Sequence, residues 1–372
     1  MEQFNNLPVK VSVIMPAFNE ERFILQAIKS LKDDYFRDNC ELIVVDGMSE
    51  DGTQKIVKSF MAKGIRIKLL ENPGRSQAYG MNLGIAEAQG DIILRADAHC
   101  IYPQGYIKQC IKMLEDTGAA NVGGMMFPQG EDEGQKAIAL ALSHPVGVGD
   151  ARWHLGKYKG FVDTVYLGAF RKSLFDDVGL YDPKAVPNED AELNLRILKA
   201  GKKIYIDGSL KVEYFPRESF KKLAKQYFRY GKGRAYTTLK HKAMTSWRQA
   251  APVALVVGLV LSGGIGFWLP FFWGLPLVYL LVLVGIALKT GKTEKNTLLH
   301  CYIVKLLKIF KPGKTEKAEK PGKTGETGKA DKEGGVVSVK QRLMTAGAWA
   351  VMHVCWGVGF LAYFTSRKNR IG

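Results

Sequence analysis

Four short apolar runs, separated by stretches with helical spacing, constrain this chain more than any other feature. Residues 11–15 (Val-Ser-Val-Ile-Met) read as a strand stopped by Pro16. Residues 23–31 follow with apolar side chains at 24, 27, 28 and 31, the spacing of one helix face. Residues 41–46 form a second strand that ends in an acid, and Thr53 can cap a helix through Ile56, Val57 and Phe60. Residues 65–70 are a third strand, and a helix over 77–88 leads to a fourth at 90–94. This βαβαβαβ alternation predicts an α/β domain, a doubly wound and mostly parallel sheet with helices on both faces.

In such sheets ligands bind beyond the carboxyl ends of the strands. Polar residues collect there. Asn19 and Glu20 follow strand one, Asp46 ends strand two, Arg75 follows strand three, and Asp97 and His99 follow strand four. Two residues apart on extended backbone, Asp97 and His99 point to the same side. They could hold one divalent metal through a carboxylate and an imidazole, or they could be solvated residues at a strand end. No G-x-G-x-x-G follows the first strand and no G-x-x-x-x-G-K-[ST] occurs, which disfavours dinucleotide and P-loop sites.

Further on, residues 106–114 read as a helix and 119–126 as a strand. The Gly-, Lys- and Asp-rich stretch 130–160 is expected to be a flexible substrate loop, and neither His144 nor His154 is assigned chemistry. Residues 165–171 predict a strand leading to Ser173 as a helix cap. A helix starts near Asp190, with Glu189 and Asp190 in its first turn. Carboxylates there offset the helix dipole, and they can equally act as acid or base.

The formal charge is +17, and it is concentrated. Residues 202–248 carry 13 basic and 3 acidic side chains, and residues 289–342 carry 14 and 6. Both stretches flank apolar segments, which points to anionic lipid headgroups and away from nucleic acid. Residues 250–269 and 271–288, interrupted by Pro270, read as a transmembrane hairpin, and residues 345–364 as a third span. The organisation expected is a catalytic domain over 1–235, a basic juxtamembrane segment 236–249, the hairpin 250–288, a Lys-rich cytoplasmic loop 289–342, and a membrane segment with a basic tail over 343–372. Within the loop, 297–310 is a candidate interfacial helix and 311–335 is expected to be disordered. Three spans would send the basic tail 367–370 outside, against the positive-inside tendency. The five cysteines include no C-x-x-C pair and read as reduced thiols, and the first ten residues show no apolar signal core.

As a set, Val13-Ile14-Met15-Pro16-Ala17-Phe18-Asn19-Glu20, Ile43-Val44-Val45-Asp46 with Gly47 to Thr53, Gly74-Arg75, Asn82-Leu83-Gly84 and Asp97-Ala98-His99 resemble the family-two glycosyltransferases of GT-A fold. The resemblance implies an inverting transferase that uses a nucleotide-diphospho-sugar. It implies that Asp46 contacts the nucleobase, Glu20 the nucleoside, and Arg75 the ribose and diphosphate, with Pro16, Ala17 and Asn19 beside them. The usual D-x-D metal motif is here Asp97-Ala98-His99, whose imidazole suits Mn²⁺ better than Mg²⁺. The Glu189-Asp190 pair matches the position of the catalytic base, with Asp190 taking the acceptor proton and Glu189 orienting a neighbour. Gln226-Tyr227-Phe228-Arg229-Tyr230 looks like the Q-x-x-R-W motif of membrane-bound polysaccharide synthases, with Tyr in place of Trp. It implies that Arg229 and Arg234 lie toward the diphosphate and Tyr230 on the acceptor sugar. The same residues also fit an amphipathic interfacial helix. The pattern of Met352, His353, Trp356, Gly357 and Phe360 resembles the succinoglycan-type glucosyltransferases of bacterial exopolysaccharide pathways. It implies a UDP-hexose donor such as UDP-glucose, a polyprenyl-diphosphate-linked saccharide acceptor, and a multi-pass protein of the bacterial plasma (inner) membrane with its catalytic domain in the cytosol. A processive polysaccharide synthase and a non-catalytic scaffold of a glycan assembly complex are the alternatives.

Overall fold

The computed structural model describes residues 9–149, 151–156, 158–242, 249–290 and 337–366. Four strands open the chain, β1 (Val11–Ala17), β2 (Cys40–Asp46), β3 (Ile67–Glu71) and β4 (Ile92–Arg95). Between them lie α1 (Ile24–Leu31), α2 (Asp34–Asn39), α3 (Thr53–Met61) and α4 (Gln77–Glu87). Then come β5 (Cys100–Ile101), α5 (Tyr106–Thr117), β6 (Asn121–Pro128), α6 (Glu133–Leu142), α7 (Pro145–Val148), β7 (Lys159–Val162) and β8 (Tyr166–Arg171). The domain closes with α8 (Leu174–Val178), α9 (Glu189–Lys199) and β9 (Ile204–Tyr214). Four longer helices follow, α10 (Phe220–His241), α11 (Ala250–Gly266), α12 (Gly274–Lys289) and α13 (Val339–Thr365).

The strands form one sheet in the order β3-β2-β1-β4-β8-β6-β9-β5, with β7 against β9. β1 to β4 pair in parallel, as the alternation predicts. The expected mostly parallel sheet does not continue. β8 inserts antiparallel between β4 and β6, and β5 and β7 also pair antiparallel with β9, so the sheet is mixed. Hydrophobic periodicity reports which face of a strand is buried and is silent on its direction. α1, α3, α5 and α6 pack one face, and α4, α8 and α9 the other.

β2 is buried end to end, as a central parallel strand must be. Its Glu41 is tolerated because Ser12 Oγ and the Gln89 amide each donate to it at 2.7 Å, with Lys68 at 3.4 Å. Gly90 starts the return to β4. A Cβ there would lie 2.8 Å from the backbone of Val11 and Ser12, so only glycine lets the strands meet.

Three local expectations change. The stretch 130–160 is not an extended loop. Asp132 caps α6, and Ala137, Ile138, Ala141 and Leu142 enter the core. Thr53 is the first residue of α3 rather than its cap, and its hydroxyl accepts from the Glu20 amide at 2.8 Å. Ser173 precedes α8 without a side-chain cap. Pro270–Lys289 and Val339–Thr365 have mean hydropathies of 2.4 and 1.4 and are long enough to cross a bilayer, while α11 is shorter. One side of α13 is not open: Ala346, Ala348, Trp349 and Met352 join the domain core. Residues 243–248, 291–336 and 367–372 lie outside the described residues, and with them most of the Lys-rich loop, the 297–310 helix and the basic tail.

Candidate active site

β1, β2 and β4 end at one edge of the sheet. A cleft of about 1920 Å³ opens there. Its walls include Pro16, Ala17, Glu20, Arg75, Asp97 and His99 from the first half of the chain. Glu189, Asp190, Arg229, Tyr230 and Arg234 line it from the second half. Two of the sequence-derived candidates are not among its lining residues. Asn19 sits at φ 55° and ties two loops together, its amide donating to Ser49 Oγ and its Oδ1 accepting from the Glu50 amide, both at 2.9 Å. Asp46 is fully buried between Val45 and Gly47, which do line the cleft. Its Oδ2 accepts from the Ser49 amide and from Gln54, while its Oδ1 is buried without a partner.

At the centre is a residue that the strand pattern hides. Arg95, the last residue of β4, is 5% exposed at its side chain. Its guanidinium lies 3.3 Å from Asp97 Oδ1 and 3.6 Å from Glu189 Oε1, and it pairs with Asp190. One buried cation therefore joins Asp97, just past the end of β4, to the carboxylates that open α9. Gln77 completes the cluster: with its amide oxygen turned to Arg95, its nitrogen donates to Glu189 Oε1 at 3.0 Å. Tyr166 on β8 donates to Asp97 Oδ2 at 3.2 Å. An arginine in an otherwise apolar strand was the available signal, because a buried guanidinium requires carboxylate partners.

Burial works against the charge on Arg95, but the three carboxylates outweigh it and hold the guanidinium well above its ordinary value. Three acids around one cation are too many to ionise freely. Burial, and then the charge of Asp190, push Glu189 up to about 7, with Arg95 opposing. Asp190 is also raised by burial, against the pull of Arg95. Its side chain remains 34% exposed to the cleft, whereas that of Glu189 is 3% exposed. Of these two carboxylates, Asp190 is thus the one more open to the cleft.

A carboxyl whose folded pKa is raised costs nothing below its ordinary value near 4.5, and the cost grows until about pH 7. Glu189→Gln is therefore expected to raise Tm relative to wild type more at pH 8 than at pH 5. Equal differences at the two pH values would show that Glu189 is not held against its charge.

His99 presents a different arrangement. Its Nδ1–H donates to Glu20 Oε1 at 3.1 Å. Burial opposes protonation, yet Glu20 and then Asp97 raise its pKa. A ring fixed through Nδ1 by a carboxylate leaves Nε2 as the donor to a metal, the usual arrangement of ligating histidines. Among the described residues no three metal-binding side chains converge, so Asp97 and His99 offer two protein ligands at most. Such a pair fits a cation that takes its remaining ligands from a diphosphate or water. Arg75 pairs with Glu50 at 3.3 Å and stands over the Phe18 ring at the mouth. Tyr230 accepts from Gln226 at 2.9 Å, and its carbonyl accepts from Asn188 at 2.8 Å, which couples α10 to the start of α9. Burial lowers Arg234 to about 10, with Asp163 opposing.

A family model described as glycosyl transferase family 2 matches residues 12–179. The succinoglycan biosynthesis protein ExoA of Rhizobium meliloti (strain 1021) is 34% identical over 245 residues, covering 65% of this chain and 74% of that protein. The chain belongs to glycosyl transferase family 2. A second relative of this family-two glycosyltransferase is a dolichyl N-acetyl-alpha-D-glucosaminyl phosphate diacetamido-dideoxy-glucuronosyltransferase of Methanococcus voltae. It is 31% identical over 59% of this chain and 71% of that protein. The mannosyltransferase PcManGT of Pyrobaculum calidifontis, solved with GDP-Man and Mn²⁺, shares the fold at TM-score 0.53 and 16% identity, covering 96% of this chain and 88% of that one. The fold of the family-two enzyme is accordingly GT-A-like with a mixed sheet.

Proposed function

We propose that this chain is a membrane-bound inverting glycosyltransferase that moves a sugar from a nucleotide-diphospho-sugar to a lipid-linked saccharide. The observation that carries this reading is the continuity of the cleft. The residues that line it include, besides Asp97 and Asp190, Pro252 and Leu255 of α11, Tyr279 and Ile286 of α12, and Met352 and Trp356 of α13. One end is charged and the other apolar, which suits an acceptor with a saccharide head and a prenyl tail. The M. voltae relative, named for a dolichyl-linked acceptor, and ExoA, named for succinoglycan biosynthesis, favour the same class. A UDP-hexose such as UDP-glucose is the donor proposed, and a polyprenyl-diphosphate-linked saccharide the acceptor.

The donor would lie along the strand ends, with its base on the side of Asp46, its nucleoside toward Glu20 and its diphosphate toward Arg75. Asp97 and His99 would hold a divalent cation, Mn²⁺ or Mg²⁺, which supplies positive charge opposite the diphosphate. Asp190 takes the proton of the acceptor hydroxyl as its oxygen bonds the anomeric carbon. The bond from that carbon to the diphosphate oxygen breaks, and its electron pair leaves with the nucleoside diphosphate. A single displacement inverts the anomeric centre. Arg95 holds Asp190 on the acceptor side and Asp97 on the donor side, so both halves keep one spacing.

The test is release of nucleotide by the detergent-solubilised chain from a panel of UDP-, GDP- and dTDP-sugars, with Mn²⁺ or with EDTA. Release from one donor, lost in EDTA and in Asp97→Ala, is expected. No release and no thermal shift with any nucleotide, even with a polyprenyl-linked acceptor present, would return the chain to the scaffold reading.

A further inference from the structure

The long apolar helices run along the catalytic domain and do not lead away from it. α13 begins with Lys340 paired to Glu133 of α6. Farther along, Thr345 Oγ1 donates to the Ala137 carbonyl and Trp349 Nε1 to that of Ala141, both at 3.3 Å. His353 Nε2 donates to the Val146 carbonyl at 2.6 Å. Near the other end Tyr363 meets Tyr236 of α10 edge-on at 6.5 Å, and the Tyr236 hydroxyl donates to Asp182 at 2.7 Å. Both ends of this 27-residue helix therefore rest on one domain. A helix that crosses a bilayer carries its ends to opposite aqueous sides.

The neighbouring helices share this direction. α10 runs beside α13 from Phe220, near Gly347, to Tyr236, near Tyr363. The approach is close: a Cβ at Gly231 would run into the Trp356 carbonyl, and one at Gly359 into that of Phe228. α12 runs antiparallel to α13, with the Tyr279 hydroxyl 2.9 Å from His353 Nδ1 and the Leu288 carbonyl accepting from Arg342 at 2.6 Å.

Among the described residues, the turn between α11 and α12 projects. Beyond Val256, which sits against Gly357, α11 continues ten residues to Gly266. At 1.5 Å per residue that is about 15 Å, roughly half the ~30 Å hydrocarbon core. The turn, Gly266 to Gly274, carries no charged side chain, and Phe267, Trp268 and Phe271 are 81%, 81% and 85% exposed. Its backbone is closed on itself. The Trp268 and Leu269 amides donate to the Ile265 carbonyl, Phe272 to Leu269, and Gly274 to Phe271 and Phe272. That closure is what a turn in hydrocarbon needs.

We propose that the protein is monotopic: α10 and α13 lie at the membrane surface, the aromatic turn enters a single leaflet, and α13 ends on the catalytic side. This rests on the membrane-bound reading above and replaces crossing helices with one-sided insertion. Lys221, Lys222 and Lys225 on α10 and Lys289 at the foot of α12 are exposed cations that suit anionic headgroups. The same arrangement keeps Thr365 and Ser366 on the catalytic side.

The experiment uses the full chain, bound from outside to sealed phosphatidylethanolamine–phosphatidylglycerol vesicles, with Leu269→Cys and Ser366→Cys labelled by a membrane-impermeant maleimide above the wild-type background. Ser366→Cys should be labelled in intact vesicles, and Leu269→Cys only after detergent. Protection of Ser366→Cys until lysis would mean that α13 crosses. Labelling of Leu269→Cys by reagent trapped inside the vesicles would mean that the hairpin spans. Labelling of Leu269→Cys from outside would mean that the turn never inserts. Should Leu269→Cys fail to fold, quenching of the Trp268 and Trp273 fluorescence by nitroxide lipids serves in its place. Strongest quenching from the acyl-chain end supports the single leaflet, and strongest quenching from the headgroup overturns it. A wild-type chain that fails to float with vesicles at all would instead sink the membrane-bound reading itself.

Discussion

Asp190→Asn is expected to lower turnover by about 10²–10⁴-fold, the usual worth of a positioned base, with little change in donor KM. Asparagine keeps the shape of the side chain and an oxygen that Arg95 can still meet, so the cluster should hold together. What it loses is the capacity to take a proton. Asp190 is the most exposed carboxylate of the cluster, its side chain 34% exposed against 8% for Asp97 and 3% for Glu189. Steady-state kinetics on the donor that the panel identifies would decide the matter. Turnover within a few-fold of wild type would remove Asp190 from the role of base and leave the dipole explanation for its position at the start of α9.

The second large effect is expected at Arg95. Replacing it by leucine leaves Asp97, Glu189 and Asp190 facing one another in a largely buried pocket. Removing one partner of a buried ion pair typically costs about 3–5 kcal/mol. Without the guanidinium, the folded pKa values of Glu189 and Asp190 rise further above their unfolded values. The penalty is then small at pH 5 and grows as pH rises, because the acids must ionise against one another. Arg95→Leu should therefore lose most of its Tm deficit at low pH and show no transfer at any pH. Arg95→Lys should recover part of the stability but little of the turnover, since an ammonium cannot fork between carboxylates from two elements. Thermal melts of the three proteins at pH 5 and pH 8 test this. An Arg95→Leu protein as stable as wild type at pH 8 would show that the cluster does not organise the site.

Residues 11–94 declare their architecture because each element there is local: strands are continuous apolar runs, helices show one apolar face, and glycine or proline separates them. The same logic fails in 130–160, where the Gly and Lys content suggests a loop. The apolar positions of α6 and its Asp132 cap were present in the residues and were outweighed by composition. Strand direction is a different case. Nothing in Val165 to Arg171 says that β8 will run against β4, because that depends on how the intervening chain returns.

The candidate site divides along the same line. Asp97, His99, Glu189 and Asp190 can be picked out as residue types at strand ends and helix starts. Arg95 stands out only as a charge in an apolar strand, and what it joins depends on a partner 95 residues away. Length and hydropathy mark three apolar helices, but they are sums over a segment, blind to whether lipid or protein covers it. The sequence by itself determined the α/β alternation, the edge where polar side chains gather, and the presence of long apolar helices, all set by short-range periodicity. Only the tertiary structure decided the mixed sheet, the buried guanidinium that joins Asp97 to Asp190, and the course of α13 along the domain. Each of these is fixed by contacts between segments far apart in the chain, whose formation depends on which surfaces meet and not on what either segment prefers alone.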